Sequence, residues 1–340
     1  MAEFTVRPIE AEEKEVWDTF VGECTQSSVF HYYDWLRCAE EESGYKLEAL
    51  EVSKQGHGKV CQFPIFFKSK KGVRMAVSPP PGCAIPYLGP IFRFSGEHQS
   101  SVETEHKLVV RKLLEYLESQ SIDYYRLVSP PEVVDVRPFT WSGFSASVNY
   151  TYRMSLDQID KDDLLSLFDK KVRKMVRKFE RSYPSAYTKP LPINHIVDRI
   201  KNRYEQKERH HGVTENYFNR LIEVFPRYVQ PIGVHENGEL ITGTILLKHK
   251  KLIQAWTGSS KVPASYNGSN EYLRKEIISQ SLEDGFSEFE SVGANTPHLC
   301  ENKSKYNFRP VPYYKLEKKN RKARLAEYIA QKFGIRGSDI

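Results

Sequence analysis

The chain has 340 residues, of which 39% are hydrophobic and 28% charged, with a formal net charge of +6. This length favours two domains or one large domain, and the apolar content excludes a chain that is disordered throughout. No run approaches the ~18 consecutive apolar residues of a membrane-spanning helix, and the first residues lack the pattern of a secretion signal. The composition therefore predicts a soluble, cytoplasmic protein.

The five cysteines are scattered and form no Cys-x-x-Cys pair; they are Cys24, Cys38, Cys61, Cys83 and Cys300. This spacing excludes a disulfide framework and the usual structural zinc sites. None of the five lies in a local pattern typical of a catalytic nucleophile. The pattern predicts reduced thiols and no metal site.

The predicted elements of the first half are a strand at 4–7, helices at about 10–22 and 31–42, strands at 46–52 and 59–68, a helix at about 99–119, and strands at 123–128 and 146–155. The second half repeats this order, with a helix at about 214–225, strands at 229–235, 239–248 and 251–258, a helix that ends near Gly285, and a strand at 286–292. Asn237-Gly238 predicts a tight hairpin turn between two of these strands. The repeat is long, so it predicts a duplicated α/β unit and hence two related domains.

Positive charge is concentrated in two segments. Residues 170–181 carry seven Lys or Arg against Glu180 alone, and residues 301–324 carry nine against Glu301 and Glu317. The first segment follows helical spacing of apolar residues, which predicts a basic helix at 160–181. A second basic helix is predicted at 318–333. Such clusters are typical of polyanion binding, although a solvated helix face explains them equally well.

Several local strings resemble the FemABX-like aminoacyltransferases, the peptidoglycan interpeptide-bridge enzymes that are also known as methicillin-resistance proteins. The strings are Ser28-Val29-Phe30-His31-Tyr32-Tyr33-Asp34-Trp35, Tyr87-Leu88-Gly89-Pro90-Ile91, Lys171-Val172-Arg173-Lys174-Met175-Val176-Arg177-Lys178, Phe289-Glu290-Ser291-Val292-Gly293 and Asn302-Lys303-Ser304-Lys305-Tyr306-Asn307. Glu290 stands where the family has Asp, and Asn302 and Asn307 stand where it has Phe and Gly.

The resemblance implies an α/β (α+β) fold of two tandem GNAT-like (acyl-CoA N-acyltransferase) domains, each a mixed, largely antiparallel sheet flanked by helices. The domains are expected at 1–150 and 151–340, with both basic helices in the second. The implied activity is transfer of an aminoacyl group from aminoacyl-tRNA to an amine of a cell-envelope precursor. The broader GNAT group, which uses varied acyl donors, shares much of this pattern.

The resemblance also implies roles for single residues. Lys303 is expected to stabilise the tetrahedral intermediate, with Lys305 a less favoured candidate, and Glu290 is expected to be a general base or an ion-pair partner. Four residues are expected to contact the substrate, although core packing is equally expected for Trp35: Trp35, Tyr87, Lys305 and Tyr306. Three residues on the basic helix are expected to bind phosphate or tRNA: Arg173, Lys174 and Arg177.

Two further functions remain open on the sequence. One is an N-acyltransferase that uses acyl-CoA on an amino sugar or amino acid, and the other is a non-catalytic nucleic-acid-binding protein with a GNAT core. The usual CoA-binding loop is not evident, which slightly favours aminoacyl-tRNA as the donor. No cofactor is expected beyond this co-substrate.

Overall fold

The computed structural model describes residues 3–205, 213–258 and 262–332, with side chains described up to residue 199 in the first range. The strands are β1 (Phe4–Pro8), β2 (Lys46–Lys54), β3 (Gly58–Lys70), β4 (Val73–Ser78), β5 (Ile91–Phe92), β6 (Tyr124–Val128), β7 (Ser145–Ser155), β8 (Tyr187–Pro190), β9 (Val229–Glu236), β10 (Glu239–His249), β11 (Leu252–Gly258), β12 (Glu288–Ser291) and β13 (Arg309–Lys319). The α-helices are α1 (Lys14–Glu23), α2 (Tyr33–Ser43), α3 (Gln99–Glu118), α4 (Arg137–Trp141), α5 (Lys170–Ser182), α6 (Ile193–Glu205), α7 (Glu215–Val224), α8 (Ser269–Glu283), α9 (Pro297–Lys303) and α10 (Arg321–Lys332).

The chain forms two compact units. The first contains the residues up to Asn149 together with those from Tyr313 onward, and the second is Tyr150–Pro312. Among the described helices, none is long and apolar enough to cross a lipid bilayer.

The first unit is built on an antiparallel meander. Strands β1, β2, β3 and β4 pair in that order, each antiparallel to the next. Strand β6 then pairs parallel to β4, and the C-terminal half of β13 pairs antiparallel to β6. Helix α3 contributes Val109, Leu113 and Leu117 to the apolar core that covers this sheet.

The second unit repeats the arrangement. Strands β8, β9, β10 and β11 pair antiparallel in order, β12 pairs parallel to β11, and β7 pairs antiparallel to β12. The β9–β10 turn consists of Asn237 and Gly238, both with positive φ (50° and 84°), as a type I′ hairpin requires. The duplicated unit predicted from the sequence is therefore present, with a mixed, mostly antiparallel sheet and flanking helices in each copy.

One predicted boundary is wrong. Residues from Tyr313 onward were expected in the second domain, but they belong to the first unit. The register Leu316↔Leu127 shows the reason: the end of β13 completes the β6 edge, and Leu316 enters the core of the first unit. For the same reason Lys318 and Lys319 are strand residues, so the basic C-terminal helix begins at Arg321 and not at 318.

The basic helix also begins later than predicted. Helix α5 starts at Lys170 and not at 160, because Phe168 has an extended backbone and the Asp169 side chain accepts a hydrogen bond from the Lys171 amide. Val172, Val176 and Phe179, at helical spacing, bury one face of α5. That face packs against apolar residues of α8. At Gly268, the residue before α8, the two segments are so close that a Cβ would stand 2.7 Å from the Met175 carbonyl oxygen.

Candidate active site

The parallel strands of the second unit separate at their carboxyl ends. Pairing between β11 and β12 runs from Leu252↔Glu288 to Ala255↔Ser291, and the last hydrogen bond joins the Val292 amide to the Ala255 carbonyl at 3.4 Å. Strand β11 continues to Gly258 against β10, whereas the chain leaves β12 through a turn at Gly293, where φ is +87°. The carbonyls of residues 291–293 therefore need other hydrogen-bond donors.

Lys303 supplies these donors. It is the last residue of α9, its side chain is buried (8% exposed), and its Nζ donates to the Ser291 carbonyl at 3.1 Å and to the carbonyls of Val292 and Gly293. A Cβ on Gly293 would lie 3.9 Å from Nζ, an ordinary van der Waals contact, and the positive φ of this turn is the reason that it favours glycine. The resemblance singled out this lysine, and the structure places it where the two parallel strands separate.

The electrostatic surroundings of Lys303 make its amino group titratable near neutrality. Burial is the largest effect and Arg274 the second, and together they lower the pKa of Lys303 from 10.5 to about 7. Glu290 and Cys300 oppose this change. A lysine with such a lowered pKa, located where two parallel strands separate, is typical of a functional site.

Glu290 lies on β12 just before the opening and is fully buried. Its carboxylate accepts a hydrogen bond from Arg153 Nε at 2.9 Å and another from Thr151 Oγ1 at 2.8 Å, both on the neighbouring β7. A carboxylate held in this way is an ion-pair partner, the second of the two roles expected for it.

A second cation lies beside Lys303. Arg274 on α8 donates to Ser291 Oγ at 3.2 Å, and its guanidinium stands 4.7 Å from the ring centre of Tyr306. Tyr306 is buried between Phe168 and Phe308, and burial raises its pKa to about 12. The Tyr306 ring therefore holds Arg274 in place beside the opening.

The basic helix begins next to this site. The Asp169 amide donates to the Lys305 carbonyl at 2.7 Å, two residues after Lys303. Four exposed cations follow one another along the outer face of α5: Lys170, Lys174, Arg177 and Arg181. Within the described residues no acidic side chain forms an ion pair with any of the four. The Arg173 guanidinium instead donates to the Ser166 carbonyl at 2.8 Å.

Of the remaining residues that the resemblance implied, Lys305 lies near this site and the other two lie in the first unit. Lys305 is half-buried beside Lys303. Trp35 and Tyr87 belong to the first unit, where both are fully buried and pack edge-on against Phe30 at ring distances of 5.2 and 6.1 Å. Their surroundings are those of core residues.

Sequence reasoning missed Arg274, Arg153 and Thr151. The sequence offers one signal for Arg274. It precedes the buried Ile277 and Ile278 by three and four positions, so helical spacing places this charged residue on the same face as two buried apolar ones. Nothing in the sequence distinguishes Arg153 or Thr151, because only the pairing of β7 with β12 brings them to Glu290.

Neither a family model nor a curated protein matches this sequence. Solved structures do match its fold. A crystal structure of FemX gives a TM-score of 0.67 at 11% identity, covering 91% of this chain and 96% of that one. The C-terminal domain (DUF2156) of a putative lysylphosphatidylglycerol synthetase from Agrobacterium fabrum gives 0.57 at 13% identity, covering 94% and 96%. A tandem GNAT protein from the clavulanic acid biosynthesis pathway gives 0.54 at 10% identity, covering 93% and 98%.

These likenesses define the class of the fold. The chain has a tandem GNAT fold, and the prediction of such a fold is confirmed. Within that class, the chain is similar to FemX along nearly its whole length, so the resemblance to the FemABX-like proteins is confirmed at the level of the fold.

Proposed function

We propose that this protein is an acyltransferase that moves an aminoacyl group from aminoacyl-tRNA to an amine of a cell-envelope precursor. The observation that carries the proposal is Lys303, a buried cation at the point where β11 and β12 separate. The likeness to FemX, a lysylphosphatidylglycerol synthetase and a tandem GNAT protein supports a transferase.

The chemistry needs no covalent enzyme intermediate. The acceptor amine attacks the acyl carbonyl, a C–N bond forms, and the ester C–O bond breaks as the 3′-oxygen of the tRNA leaves with a proton. In the tetrahedral state the former carbonyl oxygen is negative, and a positioned cation stabilises it. The ammonium group of Lys303 has three N–H donors, and the three carbonyls of residues 291–293 use them all, so the oxyanion takes the place of one carbonyl.

Helix α5 supports a polyanionic donor. Its exposed cations lie in one row, and its N-cap residue Asp169 donates a hydrogen bond to the segment that follows Lys303. A phosphate backbone bound along Lys174, Arg177 and Arg181 would end at the helix N-terminus, next to Lys303. The positive end of the helix dipole adds to this attraction.

The donor is tested by titrating the full chain at low salt with aminoacyl-tRNA and, in parallel, with acetyl-CoA. We expect saturable tRNA binding that weakens steeply with salt, and Lys174→Gln/Arg177→Gln/Arg181→Gln should reduce the slope by ~0.7–0.9 for each phosphate that the variant no longer neutralises. Arg173→Gln is the control within the helix, because Arg173 is half-buried and lies outside the row of exposed cations. Binding of acetyl-CoA alone would replace this proposal with an acyl-CoA-dependent N-acyltransferase.

Catalysis is tested by single-turnover transfer to amine acceptors. We expect Lys303→Ala to lower the rate ~10²–10³-fold with tRNA affinity retained, as for loss of an oxyanion donor. Lys305→Ala, two residues away, is the matched control and is expected to keep its rate. Equal rates for wild type and Lys303→Ala would remove Lys303 from the site, and tRNA binding without any transfer would favour a non-catalytic nucleic-acid-binding protein.

A further inference from the structure

Helix α10 presents an apolar stripe to solvent. Leu325, Tyr328 and Ile329 are 60%, 62% and 44% exposed, and their spacing of three and four residues places them side by side on one face. Large apolar side chains in a continuous exposed stripe are unusual on a protein surface in water and mark interaction sites.

The orientation of this helix is fixed by its contacts with the first unit. Ala323 and Ala330 are buried on the opposite face, and the Asn320 side chain caps the helix by accepting from the Ala323 amide at 3.0 Å. Lys322 and Asn320 both bind Asp123, at 2.9 and 2.8 Å. The small residues of α10 face the first unit and the large apolar ones face solvent, so the stripe is the outer surface of a helix that is packed against the first unit.

Cations flank the stripe. Helical geometry places Arg321 and Lys332 in line with Leu325 at the two ends of the helix, and Arg324 lies beside Tyr328. All three are exposed, and within the described residues none forms an ion pair with an acidic side chain. Glu327 is the one acidic residue of α10, and it pairs with Lys319 on the neighbouring strand.

We infer that α10 is a docking helix for an anionic lipid surface, lying in the plane of the interface with the stripe inserted among the acyl chains. An apolar face bordered by Lys and Arg is the pattern of interfacial helices, in which insertion and attraction to anionic headgroups add together. The charges disfavour a second copy of this chain, because a symmetric contact would bring like charges together across the stripe. This inference stands independently of acyl transfer.

The test is co-sedimentation of the full chain with vesicles of phosphatidylcholine, alone or mixed with phosphatidylglycerol. We expect binding to the anionic vesicles only, and a loss of at least ~10-fold in partitioning for both Leu325→Ser/Tyr328→Ser/Ile329→Ser and Arg321→Gln/Arg324→Gln/Lys332→Gln. The matched controls are Val16→Ser/Val134→Ser, which removes exposed apolar side chains elsewhere, and Lys107→Gln/Arg111→Gln/Lys112→Gln, which removes three charges from α3. Both controls are expected to bind as the wild type does.

A second measurement does not depend on removing side chains. Tyr328→Trp keeps the stripe apolar, and its additional fluorescence is expected to shift to shorter wavelength with anionic vesicles. Absence of wild-type binding, or of the shift, would overturn the inference. If the serine variant still binds the vesicles, insertion of the stripe is refuted and the binding is general charge attraction. If the protein forms a concentration-dependent dimer that the serine variant abolishes, the stripe is a self-association surface and not a lipid-binding one.

Discussion

The lowered pKa of Lys303 predicts that the stability of the second unit depends on pH. The lysine has a pKa of about 7 in the folded protein and an ordinary value of 10.5 when exposed by unfolding. Between these values the unfolded chain binds one proton more than the folded chain, so stability rises with pH. Below about pH 7 both states hold the proton, and the folded state bears the full cost of burying the charge.

The magnitude follows from the size of the shift. Each pKa unit corresponds to ~1.4 kcal/mol, so the wild type should gain roughly 3 kcal/mol between about pH 7.5 and 9.5 relative to Lys303→Met. The methionine also removes the hydrogen bonds to the three carbonyls, but this effect does not vary with pH and leaves the slope unaffected. The difference in slope therefore isolates the titration of Lys303.

The assay must report on the second unit alone. Protein equilibrated in urea at each pH is given a brief deuterium pulse at one fixed pH, and mass spectrometry follows peptides that cover β12. Lys305→Met, half-buried two residues away, is the control and should track the wild type. If the free energy of unfolding changes with pH in the same way for wild type and Lys303→Met, the carbonyls keep the ammonium group charged. The argument that burial lowers the pKa of Lys303 is then refuted.

Three further variants test the site and the core. Arg274→Gln removes the charge that repels the Lys303 proton, so the pKa of Lys303 should rise and the pH-dependent gain should begin at higher pH in the same assay. Glu290→Gln removes the buried carboxylate that pairs with Arg153 and should destabilise the second unit by about 3 kcal/mol in urea titrations; a reduced rate with unchanged stability would instead make Glu290 a general base. Trp35→Ala should cost about 3–5 kcal/mol in the first unit, as expected for a core residue; a variant that keeps its stability but binds the acceptor more weakly would restore the substrate-binding role.

Part of the fold was predictable because its signals are local. The Asn237-Gly238 turn, the strands on either side of it and the apolar spacing of α5 are written in neighbouring residues. The position of β13 was not predictable in this way. Its residues form an ordinary strand pattern, and the partner that Leu316 pairs with lies nearly 190 residues earlier, at Leu127.

The candidate site shows the same division. The string around Lys303 resembled a family motif, so the lysine could be named from the sequence. Its burial, its three carbonyl partners and the neighbouring Arg274 come from elements that are distant along the chain, and these contacts produce its lowered pKa.

The sequence by itself determined the duplicated α/β unit, the basic face of α5 and the lysine to examine, because periodicity, turns and short motifs depend on adjacent residues. Tertiary structure alone decided that the C-terminal strand completes the first unit, that Glu290 is held by Arg153, and that Trp35 and Tyr87 lie in a core. Strand pairing and burial depend on which distant segments meet, and no local pattern specifies these contacts.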